Sequence, residues 1–200
     1  MLHEDERLLV LDKPAGLETT GPDSAEERLR QERHDPALCA VHRLDRDTTG
    51  CWLVARDEPT RALLVEQFVR KKVRKFYHVL VRGFFPDPER TIRNKLDGAE
   101  AVTHVKRLDA RPDASHLLAR IETGRTHQIR RHLSALGHPI LGDTNYAGGR
   151  PIPVLERIVN RHMLHASEIL FRHPNTGELL QVVSPLPPDF KDCLRRFRLK

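Results

Sequence analysis

The chain is expected to fold as an α+β protein built on a mixed, largely antiparallel sheet with flanking helices. Three observations predict it. Many short segments alternate apolar and polar residues or run apolar between turn signals, as strands do. Only a few stretches carry helical periodicity. Near the end, Pro174-Asn175-Thr176-Gly177 separates two strand-like runs as a hairpin turn would. Strands in number with few helices, not a regular βα alternation, point to this class. At 200 residues the chain is long enough for a substantial core.

Taken in order, Arg7 to Asp12 alternates and ends at the Lys13-Pro14-Ala15-Gly16 turn. Asp23 to Arg33 reads as a short charged helix capped by Asp23 or Ser24. Ala37 to Val41 and Cys51 to Ala55 read as strands that hold His42–Gly50 as a loop between them. Glu58 to Lys72 is the clearest amphipathic helix, pairing Leu64 with Phe68 and Val65 with Val69. Its basic end, Arg70-Lys71-Lys72, would serve the helix dipole or an RNA contact equally well. Phe76 to Val81 alternates as a strand. Gly83 to Asp97, with two prolines, reads as a loop. Ala101 to Leu108 and His116 to Ile121 are further strands. Thr126 to Leu136 is a helix with Thr126 as cap, Ile129, Leu133 and Leu136 as its apolar stripe and Gly137 as its stop. Pro153 to Arg161 is expected to be helical. Ile169 to Arg172 and Leu179 to Val183 form the final hairpin, and a basic helix, Phe190 to Phe197, closes the chain.

Composition narrows the functional classes. Hydrophobic residues make up 38% and charged residues 31%, polar for a globular protein but not a disordered composition. The 34 Lys and Arg against 28 Asp and Glu give a net charge of +6, and the pI is near 9.5. That balance suits a polyanionic partner such as nucleic acid, or merely an arginine-rich proteome. Cys39, Cys51 and Cys193 are odd in number, far apart and form no CxxC. They read as reduced thiols of a cytoplasmic protein. The N-terminal stretch carries no cleavage signal, and no segment approaches the roughly 20 apolar residues of a membrane span.

Two charged clusters stand out. His42-Arg43-Leu44-Asp45, continued by Arg46-Asp47-Thr48-Thr49-Gly50, packs two acids, two arginines and a histidine into six residues between apolar runs. Such a group is costly to build unless its charges pair or do chemistry. Thr123-Gly124-Arg125-Thr126-His127-Gln128-Ile129-Arg130 is a second cluster of similar density. The two are expected to meet in space. Arg43 and Arg46 flank Asp45, and Arg125 could reach it from the second cluster. A neighbouring guanidinium would keep the aspartate ionised, able to attack or steady an electron-poor sugar carbon or take a proton. A structural ion pair is the simpler reading of any such pair in isolation. Tyr77, one of only two tyrosines, alternates with Phe76 on a strand and could stack on a base; a half-buried strand tyrosine is the plainer reading. Arg125 precedes a helix N-terminus where free amides attract anions. Arg131 reads as part of a solvated helix face.

Twelve histidines invite a metal reading. However, His127/His132 and His162/His165 fit no HExxH pattern, and no acid or cysteine completes a set. GxxxxGK[ST], GxGxxG and GxSxG are absent, so nucleotide cofactors and a serine nucleophile of that kind have no support.

Taken together, these segments resemble the RluA family of RNA pseudouridine synthases nearly end to end. The resemblance runs from Leu11-Asp12-Lys13-Pro14-Ala15-Gly16-Leu17 through His42-Arg43-Leu44-Asp45 with Asp47-Thr48-Thr49-Gly50, and Lys75-Phe76-Tyr77. It continues with Thr123 to Arg130, Gly137-His138-Pro139-Ile140 and Gly142-Asp143, and ends at Leu164-His165-Ala166 and His173-Pro174. It implies the pseudouridine synthase fold with a central RNA-binding cleft, and isomerisation of a uridine in ribosomal or transfer RNA. It implies that Asp45 is the essential aspartate and that Tyr77 stacks on the target base and assists a later proton step. It further implies that Arg125 orients the aspartate, Leu164 closes the pocket and Arg43 takes part in flipping the nucleotide. His42, Arg46, Lys75, His127 and Arg130 are candidate RNA contacts. No metal or organic cofactor is expected. The expected partner is RNA and not a membrane, for a cytoplasmic monomer folded as a single catalytic domain over residues 1–200 without a separate N-terminal RNA-binding module.

Two local departures accompany the resemblance. Glu18-Thr19-Thr20-Gly21 lacks an expected histidine-proline, and Thr49 stands where the family has serine. The competing readings are a non-catalytic RNA-binding or chaperone protein of the same fold, and a nucleoside or sugar hydrolase. The latter would need a second acid, for which Asp47 and Asp143 are the candidates.

Overall fold

The computed structural model describes residues 1–147 and 159–200. It is α+β with a mixed, largely antiparallel sheet, as the patterning predicts. The chain forms two compact units, one of Met1–Lys75 with Ala166–Pro185 and one of Phe76–His165 with Leu186–Lys200.

The first unit contains β1 (His3–Glu4), β2 (Leu8–Lys13), α1 (Ala25–Arg33), β3 (Cys39–Ala40), β4 (Thr49–Ala55), α2 (Glu58–Val69), most of β9 (Leu164–Arg172) and β10 (Leu179–Val183). Its strands run in the order β1-β2-β4-β9, with β3 also on β4 and β10 on β9. β2 and β4 pair antiparallel from Leu8↔Ala55 to Lys13↔Gly50. This register sets the start of the Lys-Pro-Ala-Gly turn beside the start of β4. Leu8, Val10, Leu53, Leu64, Ile169 and Phe171 anchor a shared core. Ser24 caps α1 by accepting from the Glu27 N–H at 3.3 Å, and Asp57 caps α2 by accepting from the Thr60 N–H at 2.7 Å.

The second unit contains the rest of β5 (Arg74–Arg82), then β6 (Glu89–Ile92), β7 (Thr103–Ala110), β8 (Ala114–Ile121), α3 (Gln128–Ala135) and α4 (Pro188–Arg196). Its strands run β5-β8-β7-β6. The β7/β8 hairpin carries an irregularity between Arg107 and Asp109, which leaves Leu108 exposed.

Several boundaries differ from the sequence expectation, for local reasons. α2 ends at Val69, and Lys71 turns left-handed at φ 54°. Arg70-Lys71-Lys72 therefore lies past the helix, and Val69 is exposed instead of completing the apolar stripe. β6 lies within the stretch expected to be a loop. It is a four-residue edge strand with exposed Glu89, Arg90 and Thr91, the charged composition by which edge strands resist unwanted pairing. α3 starts at Gln128, not Thr126, because His127 adopts a left-handed φ of 53° and supplies no side-chain cap. β9 begins at Leu164, five residues before the expected strand. The helix expected over Pro153–Arg161 falls mainly outside the described residues, and Val159–Arg161 is not helical.

Candidate active site

Asp45 occupies a tight turn between β3 and β4, where its carbonyl accepts from the Thr48 N–H at 3.0 Å. The neighbouring backbone is gripped from several sides within the first unit. The Thr19 hydroxyl donates to the Leu44 carbonyl at 2.7 Å and accepts from the Leu44 N–H at 2.9 Å. Lys13, buried at 1% exposure, donates Nζ to the carbonyls of Pro14 at 2.9 Å, Arg46 at 3.0 Å and Thr48 at 3.3 Å. The Gly16 N–H also reaches the Arg46 carbonyl, at 3.0 Å. A buried ammonium must be matched by acceptors, and here two of the three, the Arg46 and Thr48 carbonyls, belong to the turn carrying Asp45. Thr19 and Lys13 are therefore positioning residues that sequence reasoning did not single out. The Lys-Pro-Ala-Gly turn was visible, but its grip on a loop some thirty residues away left no local signal.

Gly50 continues this construction at φ 108°. A Cβ there would lie 2.2 Å from the Ala166 carbonyl oxygen, inside any tolerable contact. The close approach of β4 to β9 thus demands glycine at the end of the loop.

The basic residues around Asp45 point to different tasks. Arg43 is exposed. Arg46 donates Nε to the Gly16 carbonyl at 3.1 Å. His42, expected as an RNA contact, is turned inward instead. Its Nε2 accepts from the Leu53 N–H at 3.1 Å, and its ring stacks on Phe68 at 5.1 Å and 24°. Burial, reinforced by the Lys75 charge, pushes its pKa down to about 3, so the ring is neutral near pH 7. The Lys75 ammonium lies 5.3 Å from the centre of the same Phe68 ring, and burial pushes it down to about 8.

In the second unit, Tyr77 on β5 is buried and Phe76 half-buried, as strand alternation requires. Arg125 is exposed and donates Nε to the Glu100 carbonyl at 3.2 Å. Its backbone is held by Gln128, which lies buried in α3. Gln128 Oε1 accepts from the Arg125 N–H at 3.1 Å and the Thr123 hydroxyl at 2.7 Å, while Nε2 donates to the Val102 carbonyl at 2.9 Å and Thr103 Oγ1 at 3.0 Å. Gln128 is thus the residue that fixes Arg125, a role its place in the motif did not disclose.

Arg130, expected as an RNA contact, is corrected outright. It is 5% exposed and forms a two-point pair with Asp143, Nε to Oδ2 at 2.7 Å and Nη2 to Oδ1 at 3.0 Å. Its guanidinium also sits 5.0 Å from the Tyr146 ring centre. Burial pushes the Asp143 pKa up, but the hydrogen bonds and charge of Arg130, with His162 and the Tyr146 N–H, together outweigh it and hold the carboxyl below its ordinary range. Asp143 therefore belongs to an internal pair and is no longer a second acid for a hydrolase. His127 engages the Tyr146 hydroxyl at 2.8 Å. Arg131, expected on a solvated face, pairs with Asp97 at 2.8 and 2.9 Å.

Leu164 is buried at the start of β9. The segment is braced by Arg161, which donates Nη1 to the His162 carbonyl at 3.1 Å and to that of Leu164 at 3.4 Å. Arg161 is itself held by Asp189 of α4 at 2.6 and 3.0 Å. No cluster of three or more metal-ligating side chains occurs among the described residues, and none of their helices is long and apolar enough to cross a membrane.

A family model described as RNA pseudouridylate synthase matches residues 7–135. An uncharacterized RNA pseudouridine synthase of Bacillus subtilis (strain 168) is 32% identical over 98% of the chain and 72% of that protein. Ribosomal large subunit pseudouridine synthase D of Xanthomonas campestris is 37% identical over 99% of the chain and 69% of that protein. Among solved structures, human RNA pseudouridylate synthase domain containing 4 superposes with a TM-score of 0.83 at 26% identity, covering 100% of this chain and 93% of that one.

Proposed function

The chain belongs to the RNA pseudouridylate synthase family, and from that premise we propose that it converts a specific uridine in structured ribosomal or transfer RNA to pseudouridine, with Asp45 as the essential group. The observation that carries the proposal is the turn at Asp45: an acid in the family motif whose flanking backbone is held by Lys13, Gly16 and Thr19. A carboxylate on so fixed a loop is pre-organised for chemistry at a sugar carbon.

The reaction is an isomerisation. The bond from C1′ of the ribose to N1 of uracil breaks, the base turns within the pocket, and C5 bonds to C1′. The C5 hydrogen leaves as a proton and N1 gains one, so atoms and electrons balance without an oxidant or a cofactor. Asp45 attacks C1′ or removes the 2′ proton. Tyr77 stacks on the base and assists the proton step at C5. Arg125 orients the aspartate, and Leu164 shields the detached uracil from water, because a free base would otherwise escape. Arg43 fills the space of the extruded nucleotide, since an enzyme acting on a stacked base must first withdraw it. Arg46, Lys75 and His127 contact the RNA, while His42 and Arg130 support the fold. Ribosomal RNA is the favoured substrate class, because relatives of high coverage are named as ribosomal large subunit enzymes. We further propose that the described chain acts as one catalytic module and as a monomer.

Incubation of the protein with uridine-labelled cellular RNA, followed by nucleoside analysis, tests the proposal. Pseudouridine should form with wild type and vanish with Asp45→Ala. Free uracil without pseudouridine would instead indicate a hydrolase, and binding without either product an RNA chaperone.

A further inference from the structure

We infer that the sheet of the second unit carries a separate docking groove for a single-stranded RNA segment flanking the target. The inference rests on the reading that RNA is the substrate. Two cross-strand rows lie side by side on one face of this sheet. One row is Thr91–His104–Arg120 and the other Glu89–Lys106–Leu118, as the registers of β6 with β7 and β7 with β8 dictate. With Phe76 of β5 they line a groove of about 320 Å³.

The chemistry of the groove fits a nucleotide strand. Phe76 and Leu118 supply an apolar surface, and sheet-borne aromatic rings are a recurrent platform for unstacked bases. Phe76 alternates with Tyr77, so the groove opens on the sheet face opposite the tyrosine proposed to hold the target base. It would therefore take a neighbouring stretch of the strand and not the reacting uridine. Among the lining residues, Arg90, Lys106 and Arg120 are cations and Glu89 is an acid, an excess that favours phosphate. Their present partners are exchangeable. Lys106 meets Glu89 at 3.5 Å across exposed side chains, and Arg120 meets Glu122 at 3.6 Å across half-exposed ones. Surface pairs of that kind contribute little, and phosphate oxygens can replace them at small cost. His104 is fixed for recognition by two hydrogen bonds, Nδ1 with Thr91 Oγ1 at 2.9 Å and Nε2 with Glu122 Oε1 at 2.7 Å.

The test uses a short fluorescein-labelled oligouridylate and the full chain, followed by anisotropy across a range of salt. Lys106→Gln/Arg120→Gln, the first at an exposed and the second at a half-buried position, should weaken binding and flatten the slope of log affinity against log salt by roughly 1 to 2. Phe76→Leu, which keeps an apolar side chain but removes the ring, should weaken binding roughly ten-fold and leave that slope unchanged. Affinity within two-fold of wild type and an unchanged slope in both variants would overturn the groove. Pseudouridine formation at saturating RNA should persist in both, because none of the three residues is a proposed catalytic group and strand alternation points the Phe76 side chain to the face opposite Tyr77. A wild-type protein that makes no pseudouridine yet loses oligonucleotide affinity in the variants would sink the enzymatic reading and leave the groove standing. The reverse pattern would sink the groove alone.

Discussion

Asp45→Ala removes the carboxylate on which the proposed chemistry rests, and the residues around Asp45 divide into those proposed to take part in the reaction and those that hold the fold. Arg125 belongs to the first group. Its backbone is locked by Gln128, while its exposed side chain remains available for the proposed role. Arg125→Met should therefore bind RNA within a few-fold of wild type while turnover falls by 10²-fold or more, the order seen when one charge-stabilising group is lost; undiminished turnover would remove Arg125 from the site. His42 belongs to the second group, and its titration gives a signed prediction. Its folded pKa lies near 3 against an ordinary 6.5, so below about pH 6.5 the unfolded chain takes up a proton that the folded one refuses. The stabilising contribution is fully present above that pH and is lost as the pH falls towards 3. His78, pushed down by burial to about 4, acts in the same direction. Urea midpoints measured from pH 7 down to pH 5 should fall less steeply for His42→Gln than for wild type, and parallel curves would contradict the assignment.

At the scale of elements, long-range polar grips do what local propensity cannot. α3 is tied to the following turn by Arg130–Asp143, with Asp143 also accepting the Asn145 and Tyr146 N–H groups at 3.1 and 3.2 Å. Removing one partner strands a buried charge, so Arg130→Met should cost about 3–5 kcal/mol, and Arg130→Met/Asp143→Leu should recover part of it. Equilibrium unfolding of both variants checks this; a single variant as stable as wild type would show that the pair bears no load. The strands with apolar alternation or a continuous apolar run, β2, β4, β8 and β10, were legible in the sequence, as was the Ser24 cap. β6 was hidden because a short charged edge strand after two prolines lacks the periodic signal. The start of α3 was misread because Thr126 has the chemistry of a cap, whereas the left-handed backbone of His127 decides where the helix begins. At the candidate site, the motifs carrying Asp45, Tyr77 and Arg125 were plain. Lys13, Thr19, Gln128 and Arg161 were not, because their partners lie elsewhere in the chain. Arg130 was misassigned for the same reason: nothing local distinguishes a surface arginine from one buried on a distant aspartate.

At the scale of the whole molecule, fold and family agree: an α+β chain with a largely antiparallel sheet, belonging to enzymes that make pseudouridine in RNA. A net charge of +6 fits a polyanionic substrate, and RNA affinity should fall with rising salt as counterions are released. The central claim is that Asp45 drives an isomerisation in which the C5 hydrogen of uridine is exchanged for a bond to the ribose. Release of tritium from RNA made with uridine labelled at C5 measures that event directly. Wild type should release tritium in step with pseudouridine formation, and Asp45→Ala should release none above background while still binding the RNA. Equal release by the two proteins would contradict the account.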